Sequence, residues 1–270
     1  MPFSPVSPTP SSRSSVVAAL RAAGCVFAED EAELILGAAR TPDELAALVD
    51  RRVAGLPLEL VLGWAEFRGL RVTVEPGVFV PRRRTEFLVE QALAQAPDAR
   101  VVVDLCCGSG AVGAALADAL GAVELHAADI DPAAVRCARR NLAGPGGRVY
   151  EGDLFEALPT ALRGRVDILA ANVPYVPTGE VGLLPAEARE HEPLTALDGG
   201  TDGLDLARRV AAGAPHWLAP GGCVLIETSE RQAPAAVEAF TRAGLTTRLA
   251  VSEELYAQVV IGVRGGDTAV

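Results

Sequence analysis

From about residue 84 onward, the chain repeats one pattern that narrows its fold more than any other feature. Short apolar runs suited to strands alternate with stretches of helical periodicity. The runs predict strands over 101–105, 124–129, 148–151, 167–171, 222–227, 246–251 and 258–263. Helices fall near 111–120, 132–142, 203–217 and 231–243. Strands that are apolar throughout, each followed by a helix, form a mostly parallel sheet covered on both faces. The last two strands have no helix between them, which points to an antiparallel edge. The expected class is α/β.

Upstream the period changes. Residues 15–62 read as a small helical domain. "SSVVAALRAAG" has a Ser cap and a Gly stop, and "EDEAELILGAAR" sets Ala32, Ile35, Leu36 and Ala39 on one face. "TPDELAALVDRRVAG" begins with Thr41 as cap and Pro42 at the first helical position. Residues 63–83 read as a hairpin connector turning at Arg68-Gly69, and 84–270 as the main domain. Residues 1–14, rich in Pro and Ser and lacking the apolar core of a signal peptide, read as a disordered lead-in.

Half of the residues are hydrophobic but only 4% are aromatic, so the core must be built from Ala, Val and Leu. Trp64 and Trp217 belong with that core. The net charge of -11 disfavours a partner bound mainly through phosphates, and direct nucleic-acid binding is not expected. The five cysteines (Cys25, Cys106, Cys107, Cys137, Cys223) match neither a disulfide framework nor a zinc motif. With three histidines in the chain, no metal is expected. Small buried thiols in a reducing cytosol are the simpler reading. With no segment apolar enough to span a membrane, a soluble cytoplasmic protein is expected.

Four short stretches carry chemistry. In "VVVDLCCGSGAVGAALA" a strand runs into a Gly-rich turn, Gly108-Ser109-Gly110, and then a helix. Glycines there let a ligand approach the backbone at the carboxyl ends of the strands. Gly108-x-Gly110-x-x-Gly113 also matches a dinucleotide fingerprint, a weak signal by itself. Asp104, just before the loop, would oppose a pyrophosphate. It suits a cofactor with an amino group and a sulfonium, which favours S-adenosylmethionine. In "LHAADIDPAAVRCARRN" a strand ends at Asp129, followed by Ile130. A carboxylate there can take both ribose hydroxyls of either cofactor, while Asp131, before Pro132, reads as a helix cap. In "VYEGDLFEALP", Asp153 could accept from an adenine amine with Leu154 packed on the ring, or simply cap a helix.

The fourth stretch is "ILAANVPYVPTGE". A strand ends in Asn172-Val173-Pro174-Tyr175. Pro174 holds Val173 extended, so the Asn172 side-chain oxygen and the Val173 carbonyl can face one NH2 group, with the Tyr175 ring above it. Gripping both N–H bonds orients an amide nitrogen whose lone pair is delocalised. The ordinary alternative is an Asn turn.

Together "DLCCGSGAVG", "AADIDPAAVRCARRN", "GDLF" and "NVPY" resemble the HemK/PrmC-type protein-(glutamine-N5) methyltransferases. So do "LGWAEFRGLRVTVEPGVFVPRRRTEFLVEQAL", "HEPLTALDGGTDGLDLARRV" and "LAPGGCVLIETSERQ". The resemblance implies a class I S-adenosylmethionine-dependent methyltransferase, Rossmann-like, with a seven-stranded mostly parallel sheet. It implies Gly108, Ser109 and Gly110 on the cofactor, Asp129 on the ribose, and Asp153 and Leu154 near the adenine. It implies that residues 172–175 hold the substrate amide, Asn172 also lying near the cofactor methyl. The implied substrate is the Gly-Gly-Gln glutamine of a class I peptide-chain release factor. Three departures suggest a divergent branch. Asn-Val-Pro-Tyr replaces Asn-Pro-Pro-Tyr; "PRRRTE" puts Arg83 and Arg84 where the pattern has a proline and an acid; and the ending is "ELYAQVVIGVR". A small-molecule amide or amine N-methyltransferase, an adenine-N6 methyltransferase and a non-catalytic cofactor-binding module are the alternatives. Glu192 is either a substrate-orienting residue or half of a structural ion pair. Asp202-Gly203 is a further polar position of interest.

Overall fold

A computed structural model describes residues 12–266 and divides them into two compact units, one ending at Trp64 and one beginning at Ala65. The lead-in reading falls largely on residues outside that span. Its last two positions are corrected: Arg13 and Ser14 are helical, because Ser12 is the cap and forms a capping box with Ser15.

The first unit has helices α1 (Arg13–Ala22), α2 (Ala28–Ala38), α3 (Pro42–Val53) and the short α4 (Leu58–Leu62). Thr41 caps α3 through the Glu44 N–H, with Pro42 in the first turn. Val16, Leu20, Ala32, Ile35, Leu45 and Val49 form its core. Glu31, nearly buried, is neutralised by Arg52 at 2.6 Å.

A hairpin starts at the boundary between the units, β1 (Trp64–Phe67) and β2 (Leu70–Thr73), turning at Arg68-Gly69, both at positive φ. Helix α5 (Glu86–Gln95) follows, then β3 (Val101–Leu105), α6 (Ala111–Leu120), β4 (Glu124–Asp129), α7 (Pro132–Asn141), β5 (Arg148–Glu151) and β6 (Val166–Ala171). After the short α8 (Ala186–His191) come α9 (Asp205–Gly213), β7 (Leu218–Thr228), α10 (Ala233–Arg242), β8 (Thr246–Ser252) and β9 (Ala257–Val263). The seven strands lie in the order β5-β4-β3-β6-β7-β9-β8. The first five are parallel; β9 pairs antiparallel with both β7 and β8, the expected edge.

Apolar side chains fill both faces. One layer holds Leu88, Leu116, Val135 and Ile168; the other holds Leu105, Leu162, Leu169, Val210 and Trp217. Trp217 is buried and stacked on Phe155 with centroids 5.7 Å apart, whereas Trp64 is only partly buried. The order in which successive strands are laid down reverses at β3, with β4 and β5 on one side and β6 and β7 on the other. This is the switch point at which open α/β sheets bind ligands beyond their strand ends.

Candidate functional site

Parallel pairing brings four predicted stretches to one edge of the sheet. Leu105 lies level with Ala128 on β4 and with Ala171 on β6, and Asp129 with Glu151 on β5. The residues after these strands therefore form a row: Asp153-Leu154, Asp129-Ile130, the glycine loop, and Asn172.

The loop is held from beneath. Cys106, Gly108 and Gly110 all adopt positive φ, at 53°, 53° and 79°. A Cβ on Gly110 would also sit 3.2 Å from Ala138, so α7 needs a glycine there. The Gly108 N–H donates to Asp129 Oδ2 at 2.8 Å, and the Asp131 N–H to Asp129 Oδ1 at 2.9 Å. Burial raises the Asp129 pKa, and these two donors oppose that shift. Asp131 caps α7 through the Ala133 N–H at 2.7 Å.

Asp104 is 1% exposed, and its Oδ2 accepts the Gly113 N–H at 2.8 Å. Oδ1 is buried without a hydrogen-bond partner among the described residues. Burial, helped by the Asp129 charge, pushes this carboxyl up to about 7. Sequence reading aimed the whole carboxylate at a ligand; half of it instead ties β3 to α6. Ser109 is buried at 2%, and its carbonyl accepts from Asn141 Nδ2 at 2.8 Å. It therefore offers almost no contact surface. Ile130, by contrast, is 58% exposed directly beside Asp129, an apolar side chain left open at the strand ends. Asp153 makes no cap hydrogen bond, and its Oδ2 pairs with Arg209 at 2.8 Å. Leu154 is buried at φ +48°.

On the β6 side, Asn172 and Tyr175 are partly exposed while Val173 and Pro174 are buried. The Tyr175 hydroxyl donates to Glu227 Oε1 at 3.1 Å and accepts from Arg84 Nη2. Arg84 Nε donates to the same Glu227 oxygen at 2.7 Å, and Thr85 Oγ1 to Glu227 Oε2 at 2.7 Å. Burial and the Glu227 charge push the phenol well above its ordinary range. Behind the ring, Gln232 Nε2 donates to the Tyr175 carbonyl at 2.8 Å and the Asp202 carbonyl at 2.9 Å. A Cβ on Gly199 would lie 2.6 Å from the Pro174 carbonyl oxygen, and one on Gly203 would lie 2.2 Å from that of Tyr175. Glu192 pairs with Arg82 at 2.5 Å and accepts the Val80 N–H at 3.3 Å, the structural alternative considered for it. Asp202 binds Arg208, which holds its pKa down at about 2.

Sequence reading missed Asn141, Glu227 and Gln232. Glu227 carried a usable signal: like Asp104 and Asp129, it is an acid at the carboxyl end of an apolar strand. Among the described residues, no group of three or more His, Cys, Asp or Glu side chains could hold a metal, and no helix is long and apolar enough to cross a membrane.

Residues 69–187 match the family described as Methyltransferase small domain. A relative named release factor glutamine methyltransferase, from Geobacter sulfurreducens, is 40% identical over 230 residues, covering 83% of this chain and 80% of its own. A 4-amino-L-phenylalanine/4-methylamino-L-phenylalanine methyltransferase from Streptomyces pristinaespiralis is 37% identical, covering 83% and 78%. Among solved structures, a methyltransferase from Pyrococcus furiosus superposes with a TM-score of 0.56 at 16% identity, over 73% of this chain and 90% of that one; it shares the fold.

Proposed function

The chain belongs to the release factor glutamine methyltransferase family and is an S-adenosylmethionine-dependent methyltransferase, and from that premise we propose that its acceptor is the Gly-Gly-Gln glutamine amide of a class I peptide-chain release factor. One observation carries the reading furthest. Asn172 and Tyr175 stand at the end of β6, next to the glycine loop across the switch point, on a segment braced by Gln232, Gly199 and Gly203.

The residues fit the cofactor. The positive-φ loop at Gly108 and Gly110 leaves room for close approach, and Asp129 ends its strand where ribose hydroxyls are taken. Exposed Ile130 offers an apolar surface for a planar base, next to Asp153, and Asp104 Oδ1 has no hydrogen-bond partner among the described residues. When bound, S-adenosylmethionine supplies an electrophilic methyl group on a cationic sulfur.

The chain's own residues supply orientation. Asn172 accepts one amide N–H and Val173 the other, turning the nitrogen lone pair toward the methyl donor. Val173 is 1% exposed, so Asn172 carries the open half of the grip. The ring of Tyr175 bounds the acceptor. Glu227 is not a base here, because Arg84, Thr85 and Tyr175 occupy it. The proton leaves to water once methylation has made the nitrogen acidic. The reading puts the enzyme in the cytoplasm, where release factors act.

A second reading is favoured by the relative that methylates an aryl amine, whose nitrogen is also flat and delocalised. Intact-protein mass spectrometry separates the two. A single-methyl shift on the Gly-Gly-Gln glutamine, lost in Asn172→Ala while cofactor binding persists, supports the first. No shift on the release factor, with methylation of 4-amino-L-phenylalanine, would replace it with the second.

A further inference from the structure

We propose that Arg84 is a positioning residue of the acceptor site, fixing the Tyr175 ring through a closed triangle with Glu227. The inference rests on the reading of Tyr175 as a wall of that site.

Three contacts make the triangle. Arg84 Nε reaches Glu227 Oε1 at 2.7 Å, Arg84 Nη2 reaches the Tyr175 hydroxyl, and that hydroxyl reaches Glu227 Oε1 at 3.1 Å. Each member touches the other two, so none can turn without breaking two contacts. The anchor is Glu227, whose side chain is 3% exposed; Thr85, 2% exposed, holds its second oxygen at 2.7 Å. A carboxylate so deeply placed needs a cation, and among the described residues Arg84 pairs with it. The guanidinium carbon lies 5.7 Å from the centre of the Tyr175 ring, at its hydroxyl end, so the charge holds the ring by its edge.

This arrangement decides what Arg84 does for an acceptor. Its charge is spent on Glu227, so it is not poised to select a carboxylate-bearing substrate. The Tyr175 hydroxyl is also committed, both as donor and as acceptor. What remains of Tyr175 for an acceptor is the ring. Arg84 occupies one of the positions where the chain departs from the connector pattern, and the departure inverts the charge beside a buried acid. Arg82, two residues earlier, is likewise held by a buried glutamate, Glu192, at 2.5 Å. The 82–84 segment is therefore pinned at both ends.

The test uses the full-length enzyme and four variants: Arg84→Gln, Arg84→Lys, the double variant Arg84→Gln/Glu227→Gln, and Tyr175→Phe as an assignment control. Each is labelled with 3-fluorotyrosine. The chain has three tyrosines, so loss of one fluorine line in Tyr175→Phe identifies Tyr175. In Arg84→Gln that line should move and broaden. Release-factor kcat/KM should fall by about tenfold or more, the scale of one lost charged hydrogen bond, while the calorimetric Kd for S-adenosylmethionine stays unchanged. Lysine should recover part of the loss, since it neutralises Glu227 without bridging to the hydroxyl. The double variant removes the buried charge, so its Tm should recover while kcat/KM stays low, which a purely structural role would not produce. An unchanged fluorine line, an unchanged kcat/KM, or a parallel loss of cofactor affinity in Arg84→Gln would each overturn the proposal. If the parent enzyme does not methylate the release factor, the proposed substrate fails, while the fluorine line still decides whether Arg84 fixes the ring.

Discussion

Replacing Asp104 by asparagine turns a buried acid into a measurable pH dependence. The acid titrates at about 7 in the fold, mainly because of burial, against an ordinary value of 3.8. Between those values the folded chain keeps a proton that the unfolded chain has released, so stability falls as pH rises, and the loss is complete just above 7. The full penalty is about 4 kcal/mol, of which roughly 3 kcal/mol accrues between pH 5 and pH 8. The amide that replaces the carboxyl in the variant carries no such proton. Its carbonyl can still accept the Gly113 N–H, but its NH2 then stands where Oδ1 had no partner, a pH-independent cost of about 1–3 kcal/mol. The assay is urea unfolding of parent and Asp104→Asn without added cofactor, at half-unit steps from pH 5 to 8. The stability difference should move in the variant's favour by about 3 kcal/mol across that range, other titrations cancelling between the two proteins. A difference that stays flat with pH would refute the buried, proton-holding carboxyl. If Asp104 also serves the cationic cofactor, parent affinity should tighten from pH 6 to 8 and the variant's should not.

Two further substitutions probe the braces. Gly203→Ala places a Cβ 2.2 Å from the Tyr175 carbonyl oxygen at φ +76°. It should cost roughly 3 kcal/mol, read as a Tm lower by about 6–12 °C, and should lower kcat for methyl transfer. Asn141→Leu removes bonds to the Thr73 N–H and carbonyl and to the Ser109 carbonyl, at 2.8–2.9 Å. The loop it anchors should loosen, weakening cofactor Kd by about tenfold in calorimetry. An unchanged Kd would confine Asn141 to fold stability.

Much of the sheet was legible because its signals are local. Apolar runs end at Asp129 and Ala171 where the strands end, and Asp131-Pro132 and Thr41-Pro42 start helices where caps are expected. Helix α5 was not drawn, although it buries Phe87, Leu88, Val89 and Ala92 while the polar pairs Glu86/Glu90 and Gln91/Gln95 recur four residues apart. The start of β7 was placed late, at Gly222, because Pro220 and Gly221 interrupt the apolar run, and the register beside them is irregular. The ring support was illegible for another reason: Arg84 and Tyr175 are 91 positions apart, and Tyr175 and Glu227 are 52. No spacing rule spans such gaps; only the strand order brings these residues together.

The same strand order splits the edge into two workshops with a common wall at β3 and β6. On one side Asn141 and Arg209 hold the loop and acids read as the donor's berth; on the other, Gln232 and the arginine triangle hold the acceptor's. Each side is maintained by its own fixings. On the proposed reading, retooling such a chain for a new nucleophile means rebuilding one bench and leaving the other untouched. That makes the segments around Arg84, 172–175 and 199–203 the natural place to graft a new acceptor preference.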